Sequence, residues 1–430
     1  MPLDFAHGSV QWLTTDVLNA TKVVTGLGFT PKALRFYWVG LQSNSPTNLA
    51  SGAVNERRGV GFAVSAASRR AVGTFSLDND NGGAQCGSVA NDNCIAVTVT
   101  AAGAVDGRLD ISSFDTNGFT LIVDDVTPAN ITVFYEAWGG TDISVAVVGD
   151  IAEPAATGTQ NYTVNGFTDD GTGQVVMFAG VQSVNALNTG QGQDSGLCVG
   201  FASSTLSTHN VVVVGNSDLG SDATDTDGYC FQGDCLAQIV IAGGNPNARA
   251  SLSAWGTNQF TLNWTSRATT NRRNIFLAIK GGRWRASSYT IAGNTLSSTT
   301  TVSDLPFYLK GISLIGRMTA QNASATSTAE DRIGFGSGSS TTSRNSAGIL
   351  DRNGQDPTSI NTIVQYSSVL SFPSTGGAVQ ATYDINAFSL NSFQIIVDTA
   401  GGVASEFHGY LAFGSSPLVS TMSIGHPFII

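Results

Sequence analysis

The residues best suited to hold an ion are carboxylates in two turn-like stretches. Asp78-Asn-Asp80-Asn-Gly-Gly83 is one, and Asp218-Leu-Gly-Ser-Asp222-Ala-Thr-Asp225-Thr-Asp227-Gly228 is the other. Both place oxygen ligands at alternating positions, which calcium accepts in turns. Asp78, Asp80, Asp222, Asp225 and Asp227 are therefore the calcium candidates, and calcium is the one cofactor worth considering. Neither stretch carries the glutamate that completes an EF-hand loop. The third comparable stretch offers only Asp351-Arg-Asn353-Gly354. The expectation is that these acidic turns are solvated and hold no metal.

Catalytic groupings are sparse. His7, His209, His408 and His426 have no partner at zinc-helix spacing. No nucleophile elbow lies on a strand-to-helix turn, and no phosphate loop precedes Lys-Ser or Lys-Thr. Ser and Thr are abundant throughout, so no single one stands out as a nucleophile. The chain reads as a non-enzyme with no catalytic residue to nominate. Cys86, Cys94, Cys198, Cys230 and Cys235 are odd in number. Cys86 with Cys94 and Cys230 with Cys235 could close small loops. Free thiols from a reducing cytoplasm are the favoured reading. Arg57-Arg58, Arg69-Arg70, Arg272-Arg273, and Arg283 and Arg285 beside Trp284 could stack on bases or sugars. In an acidic chain, ion pairing across a domain or subunit interface is the expected use.

The elements that must position these residues repeat. Phe114-Asp-Thr-Asn-Gly-Phe119 returns as Trp255-Gly-Thr-Asn-Gln-Phe260 and as Phe388-Ser-Leu-Asn-Ser-Phe393. Gly61-Phe62 returns as Gly200-Phe201 and Gly334-Phe335. Gly28-Phe29-Thr30 leads into Leu34–Ser43 as Gly166-Phe167-Thr168 leads into Val175–Ser183. These blocks keep their order at a period of about 140 residues, well above that of solenoids. The units run 1–140, 141–282 and 283–430, the last with a C-terminal tail. A unit of that size is an independent domain, so the three need not share one core.

Within each unit the apolar segments are short and rich in Val, Ile, Thr and Phe. Ala96–Thr100 alternates, and Val211–Val214 is continuously apolar, as half-buried and fully buried strands are. Asn117-Gly118, Asn165-Gly166, Asp170-Gly171, Asp227-Gly228 and Asn353-Gly354 supply hairpin turns. The fold class is all-β: three tandem antiparallel β-sandwich, jelly-roll-like domains. Phe114, Trp255 and Phe388 are expected to be equivalent and buried. Three connecting segments also look alike: Asp142–Val148, Arg285–Ile291 and Leu418–Ile424. Gly425–Ile430 is apolar and suits a groove on another subunit.

Composition sets the outer limits. Of 430 residues only 12% are charged, 50 are Gly, and the net charge is −11. Hydrophobic residues at 41% give ample material for packed cores. The charge balance argues against nucleic-acid and anionic-membrane binding. No apolar run approaches the ~18 residues of a membrane helix. The first residues lack the basic and apolar regions of a secretory signal, which implies cytoplasmic synthesis.

Low charge, Gly/Ser/Thr/Asn/Ala-rich composition and tandem β domains together resemble the structural proteins of tailed bacteriophages: capsid decoration, spike and tail proteins. The resemblance covers the style of the whole chain. It implies synthesis in the host cytoplasm and location in the virion. It also implies self-assembly as a homo-oligomer, a trimer or a ring, alongside other virion proteins. The alternative is a receptor- or carbohydrate-binding adhesin, with a host surface glycan as partner.

Overall fold

The computed structural model describes residues 3–416 except 41–42, 44–46, 53–55, 77–85, 98–103, 170–172, 183, 193, 205–207, 218–224, 240–245, 269–271, 292, 294, 321–325, 328–329, 353–359 and 402–404. The described residues form 33 strands and no helix. The first repeat supplies β1 (Leu3–Trp12), β2 (Thr21–Thr25), β3 (Pro31–Val39), β4 (Leu49–Gly52), β5 (Glu56–Ser65), β6 (Ser68–Ser76), β7 (Cys86–Asn91), β8 (Ile95–Val97), β9 (Gly107–Asp115), β10 (Gly118–Asp125) and β11 (Ile131–Gly140). The second supplies β12 (Ile143–Ala152), β13 (Gly158–Thr163), β14 (Gln174–Val181), β15 (Thr189–Gly192), β16 (Asp194–Ser203), β17 (His209–Ser217), β18 (Asp225–Phe231), β19 (Leu236–Ile239), β20 (Pro246–Gly256), β21 (Gln259–Ser266) and β22 (Arg273–Gly281). The third supplies β23 (Arg283–Thr290), β24 (Thr299–Val302), β25 (Tyr308–Ala320), β26 (Thr326–Ser327), β27 (Glu330–Gly338), β28 (Arg344–Arg352), β29 (Ile360–Gln365), β30 (Leu370–Pro373), β31 (Val379–Phe388), β32 (Phe393–Thr399) and β33 (Glu406–Ser415).

Each repeat builds a large sheet and a small one, with antiparallel pairing throughout. The small sheets run β2-β10-β9-β8, β13-β21-β20-β19 and β24-β32-β31-β30. The large sheets run β1-β11-β3-β5-β6-β7-β15, β12-β22-β14-β16-β17-β18-β26 and β23-β33-β25-β27-β28-β29-β4. The seventh strand of each large sheet is borrowed. The second repeat lends β15 to the first, the third lends β26 to the second, and the first lends β4 to the third. The loans close a cycle.

Residue pattern explains both faces of the large sheets. Strands buried on both sides read as continuous apolar runs. Val211–Val214 is such a run: Val211 and Val213 enter the sandwich core of the second repeat, while Val212 and Val214 enter a core shared with the other repeats. The shared core takes Tyr37, Phe62 and Phe134 from the first repeat, Phe201 and Leu277 from the second, and Phe335 and Leu411 from the third. Three separate sandwich cores lie outside it. The three repeats, which as separate domains need not have shared a core, do share one. The outer face of each large sheet packs on its own small sheet, and the inner face, apolar but crossed by buried ion pairs, is covered by the other two repeats.

The aromatic repeat marks a hairpin. Phe114 faces Phe119, Trp255 faces Phe260, and Phe388 faces Phe393 across the β9–β10, β20–β21 and β31–β32 pairs. Two residues before each leading aromatic, Ser112, Ser253 and Asn386 are bulged out of register. Trp255 is buried, but Phe114 and Phe388 are only half-buried at the rims of their cores. The expected burial of all three is corrected accordingly.

One turn assignment holds and another changes. Gly166 has the positive φ of a turn glycine, at 85°. Gly228 lies inside β18, where a Cβ would collide with Asp331 and Arg317, so close approach rather than turn geometry requires glycine there. Gly61 and Gly200 lie against the carbonyls of Cys94 and Cys235. The matching contact in the third repeat belongs to Gly336 on Val369, two residues beyond the sequence match at Gly334. Asp170-Gly171 and Asn353-Gly354 fall outside the described residues, as does the apolar Gly425–Ile430.

Candidate functional site: the junction of the three repeats

The large sheets meet in cyclic order. β6 lies on β12, β17 lies on β23, and β28 lies on β1. Polar side chains on these inner faces join the repeats. Arg58 is fully buried on β5 and binds all three. Its Nε donates to Thr74 Oγ1 at 3.2 Å in its own repeat. One Nη donates to the Val214 carbonyl of the second repeat at 3.2 Å. The other pairs with Asp351 of the third at 3.0 Å. A fork of fixed donors suits this three-way task in a way a lysine could not.

Two further buried pairs flank it. Arg317 holds Asp331 through both carboxylate oxygens, at 2.8 and 3.0 Å from Nε, and the pair sits over Gly228 of the second repeat. Arg35 meets Glu136 at 3.1 Å, with its guanidinium over the ring of Phe201 from the second repeat. Burial pushes the Glu136 carboxyl up, and Arg35 opposes the shift. Buried charges must be paired in this way, because an isolated one costs several kcal/mol of desolvation.

Uncharged contacts complete the junction. Asn210 of the second repeat donates to the carbonyls of Ser287 and Tyr410 in the third, at 2.7 and 2.9 Å. Tyr37 OH donates to Asn345 Oδ1 at 2.6 Å, between the first and third repeats. That bond orients the Asn345 amide so that Nδ2 donates to His7 Nδ1 at 3.1 Å. His7 Nε2–H then donates to the Ser343 carbonyl at 3.2 Å. Burial pushes the His7 imidazole down to about 4, and the Ser343 contact opposes the shift. Phe5, Trp138, Trp284 and Phe413 form an aromatic cluster of the first and third repeats, with Phe5 and Phe413 centred 4.5 Å apart.

The arginine pairs of the sequence divide along these lines. Arg58 and Arg70 cross between repeats, Arg70 reaching Asp150 at 3.0 Å. Arg69 pairs within its own repeat, with Asp110, and Arg273 meets Asp150 at 3.1 Å. The calcium candidates divide differently. Asp78, Asp80 and Asp222 lie outside the described residues, and Asp225 begins β18 opposite Ser217. Asp227 is fully buried within β18, which overturns the solvated-turn expectation for that residue. Among the described residues no group of three His, Cys, Asp or Glu gathers as a metal site. All five cysteines are buried thiols outside any disulfide. His408 lies 3.4 Å from Glu406, enclosed with Tyr289 and Tyr383 in the third repeat. Sequence spacing could not reveal these cross-repeat partners, because 293 positions separate Arg58 from Asp351.

No protein-family model matches the chain, and no curated protein matches it. Among solved structures, the crystal structure of Acinetobacter baumannii OccAB3 aligns over 89% of this chain and 97% of that one, at 9% identity and a TM-score of 0.10. That level of likeness carries no argument about fold or function.

Proposed function

We propose that this chain is a non-enzymatic structural component of a bacteriophage virion, assembling with copies of itself on the particle surface or tail. The observation that carries the reading is the closed cycle of three repeats within one chain, locked by Arg58. Such a body presents three related outer sheets around a centre, which suits a place in a symmetric particle. A surface poor in charge supports the same reading, because large interfaces then form with little desolvation of ions. The His408–Glu406 pair is buried among tyrosines, in keeping with a structural role for the groups most able to do acid–base work.

Density-gradient purification of particles from the source culture, followed by mass spectrometry, tests the proposal. The chain is expected at fixed stoichiometry with capsid or tail proteins. Its recovery only in the particle-free fraction contradicts the reading.

A further inference from the structure

The first two repeats hand the chain on through a tight turn. Gly140 ends β11 with a φ of 89°, and β12 starts at Ile143. Gly281 ends β22 with a φ of 100°, and β23 starts at Arg283. At the matching Gly414, which faces Arg283, the third repeat runs on along β33 to Ser415. The place of a following first strand is already filled there by β1, whose Leu3 N–H donates to Ser415 Oγ at 3.2 Å. Ser416 Oγ still accepts from Arg283 Nε at 2.9 Å, so the chain leaves in line with β33.

Antiparallel pairing fixes what lies ahead. Ser415 faces Tyr308, so the residues beyond it run toward Phe307, Pro306 and Leu305. The surface opens there in a groove of about 360 Å³, lined by Leu305, Pro306, Phe307, Tyr308, Leu390 and Asn391. Two backbone bonds hold its walls together: Leu305 N–H donates to the Asn391 carbonyl at 3.0 Å, and Leu309 N–H to the Leu390 carbonyl at 2.7 Å. Leu390 is 68% exposed at the β31–β32 turn. Thr116 and Thr257 stand at its place in the other two repeats. The apolar turn residue thus belongs to the repeat whose last strand runs on, and an apolar groove on a surface marks a docking site.

The segment that follows has the pattern such a groove accepts. In Leu418-Val-Ser-Thr-Met422-Ser-Ile424 an extended chain puts Leu418, Met422 and Ile424 on one face, and Val419, Thr421 and Ser423 on the other. Pro417 suits the first position of an edge strand, where no ladder bond is required. We propose that residues 417–424 dock as an extended strand in this groove of their own third repeat, with Leu418 against Leu390. The chain's own segment is the occupant because β33 delivers it beside Tyr308, at the groove wall. The inference is independent of the virion assignment.

Two measurements on the full chain test it. Hydrogen exchange read by mass spectrometry should be slowed about tenfold or more at residues 417–424 relative to a free peptide of the same sequence. Leu390→Asp, at an exposed turn that the fold does not rely on for packing, should abolish that protection. In a second variant, Leu390→Cys with Leu418→Cys, oxidation by copper phenanthroline should join the two new thiols within one chain, since the native cysteines are buried. The inference is overturned if residues 417–424 exchange like the free peptide, if Leu390→Asp leaves their protection unchanged, or if the new thiols stay unlinked or join two chains.

Discussion

Arg58 and Asp351 are 293 positions apart in sequence and 3.0 Å apart in space, with both side chains shut away from solvent. The contact closes the first repeat onto the third, the two repeats that no connecting segment joins. Removing one member of such a pair leaves a buried charge exposed to an apolar surround. Asp351→Ala should therefore cost about 3–5 kcal/mol in urea unfolding. The second repeat shows how the position can be filled without charge: three residues before its Gly200 lies Leu197, which faces Val214 as Arg58 faces Thr74. Arg58→Leu combined with Asp351→Val should recover most of the loss, within about 1–2 kcal/mol of wild type. Additive losses in the double variant would count against the buried pair.

Acid should loosen the first–third contact through His7. Its folded value lies near 4, below the ordinary 6.5, so the unfolded chain takes up the proton first. Stability is full above pH 6.5 and is lost progressively as pH falls toward 4. A proton on Nδ1 would also confront the Asn345 amide donor. The groups nearest it are Tyr37, the Arg35–Glu136 pair opposite on β11 and β3, and Arg344 on β28. Melting temperatures across this range should fall in wild type and fall less in His7→Gln.

Glu153 should act with the opposite sign. Burial raises its carboxyl to about 7, with Arg272 opposing the shift. The folded state thus keeps a proton that the unfolded state releases near 4.5. Its contribution is full below pH 4.5 and is lost as pH rises through 7. Glu153→Gln should flatten this part of the stability profile, as read by urea unfolding at several pH values.

The thiols should be inert until the chain unfolds. All five are buried, and burial pushes Cys198 up to about 12 and also raises Cys94 and Cys235. Since the thiolate is the reactive form, iodoacetamide without reductant should label none in the native protein and all five in urea. Fast labelling of the native state would contradict the burial.

Much of the fold was legible in the sequence, for physical reasons that also mark where legibility ends. The aromatic block encodes a hairpin, and the pairing of Phe119, Phe260 and Phe393 with their leading aromatics is local, so the repeat survives in the letters. Val211–Val214 announced a strand buried on both faces, yet nothing in the run says what covers its second face. The lent strands β4, β15 and β26 are two to four residues long and carry no pattern of their own. Asp227 looked like a turn ligand because Asp-Gly usually turns, whereas here the glycine makes room for Arg317 and Asp331. Glu153 gave no signal, because nothing in its neighbours along the chain marks a carboxylate that will be buried beside Ala268.

The central claim is that three repeats form one closed, cooperative body. Differential scanning calorimetry of the full chain tests this most directly. One transition is predicted, with calorimetric and van't Hoff enthalpies in agreement for the whole chain. Asp351→Ala should shift that single transition without splitting it. Two or three resolved transitions, with only one of them moved by Asp351→Ala, would show that the repeats unfold separately and would contradict the account.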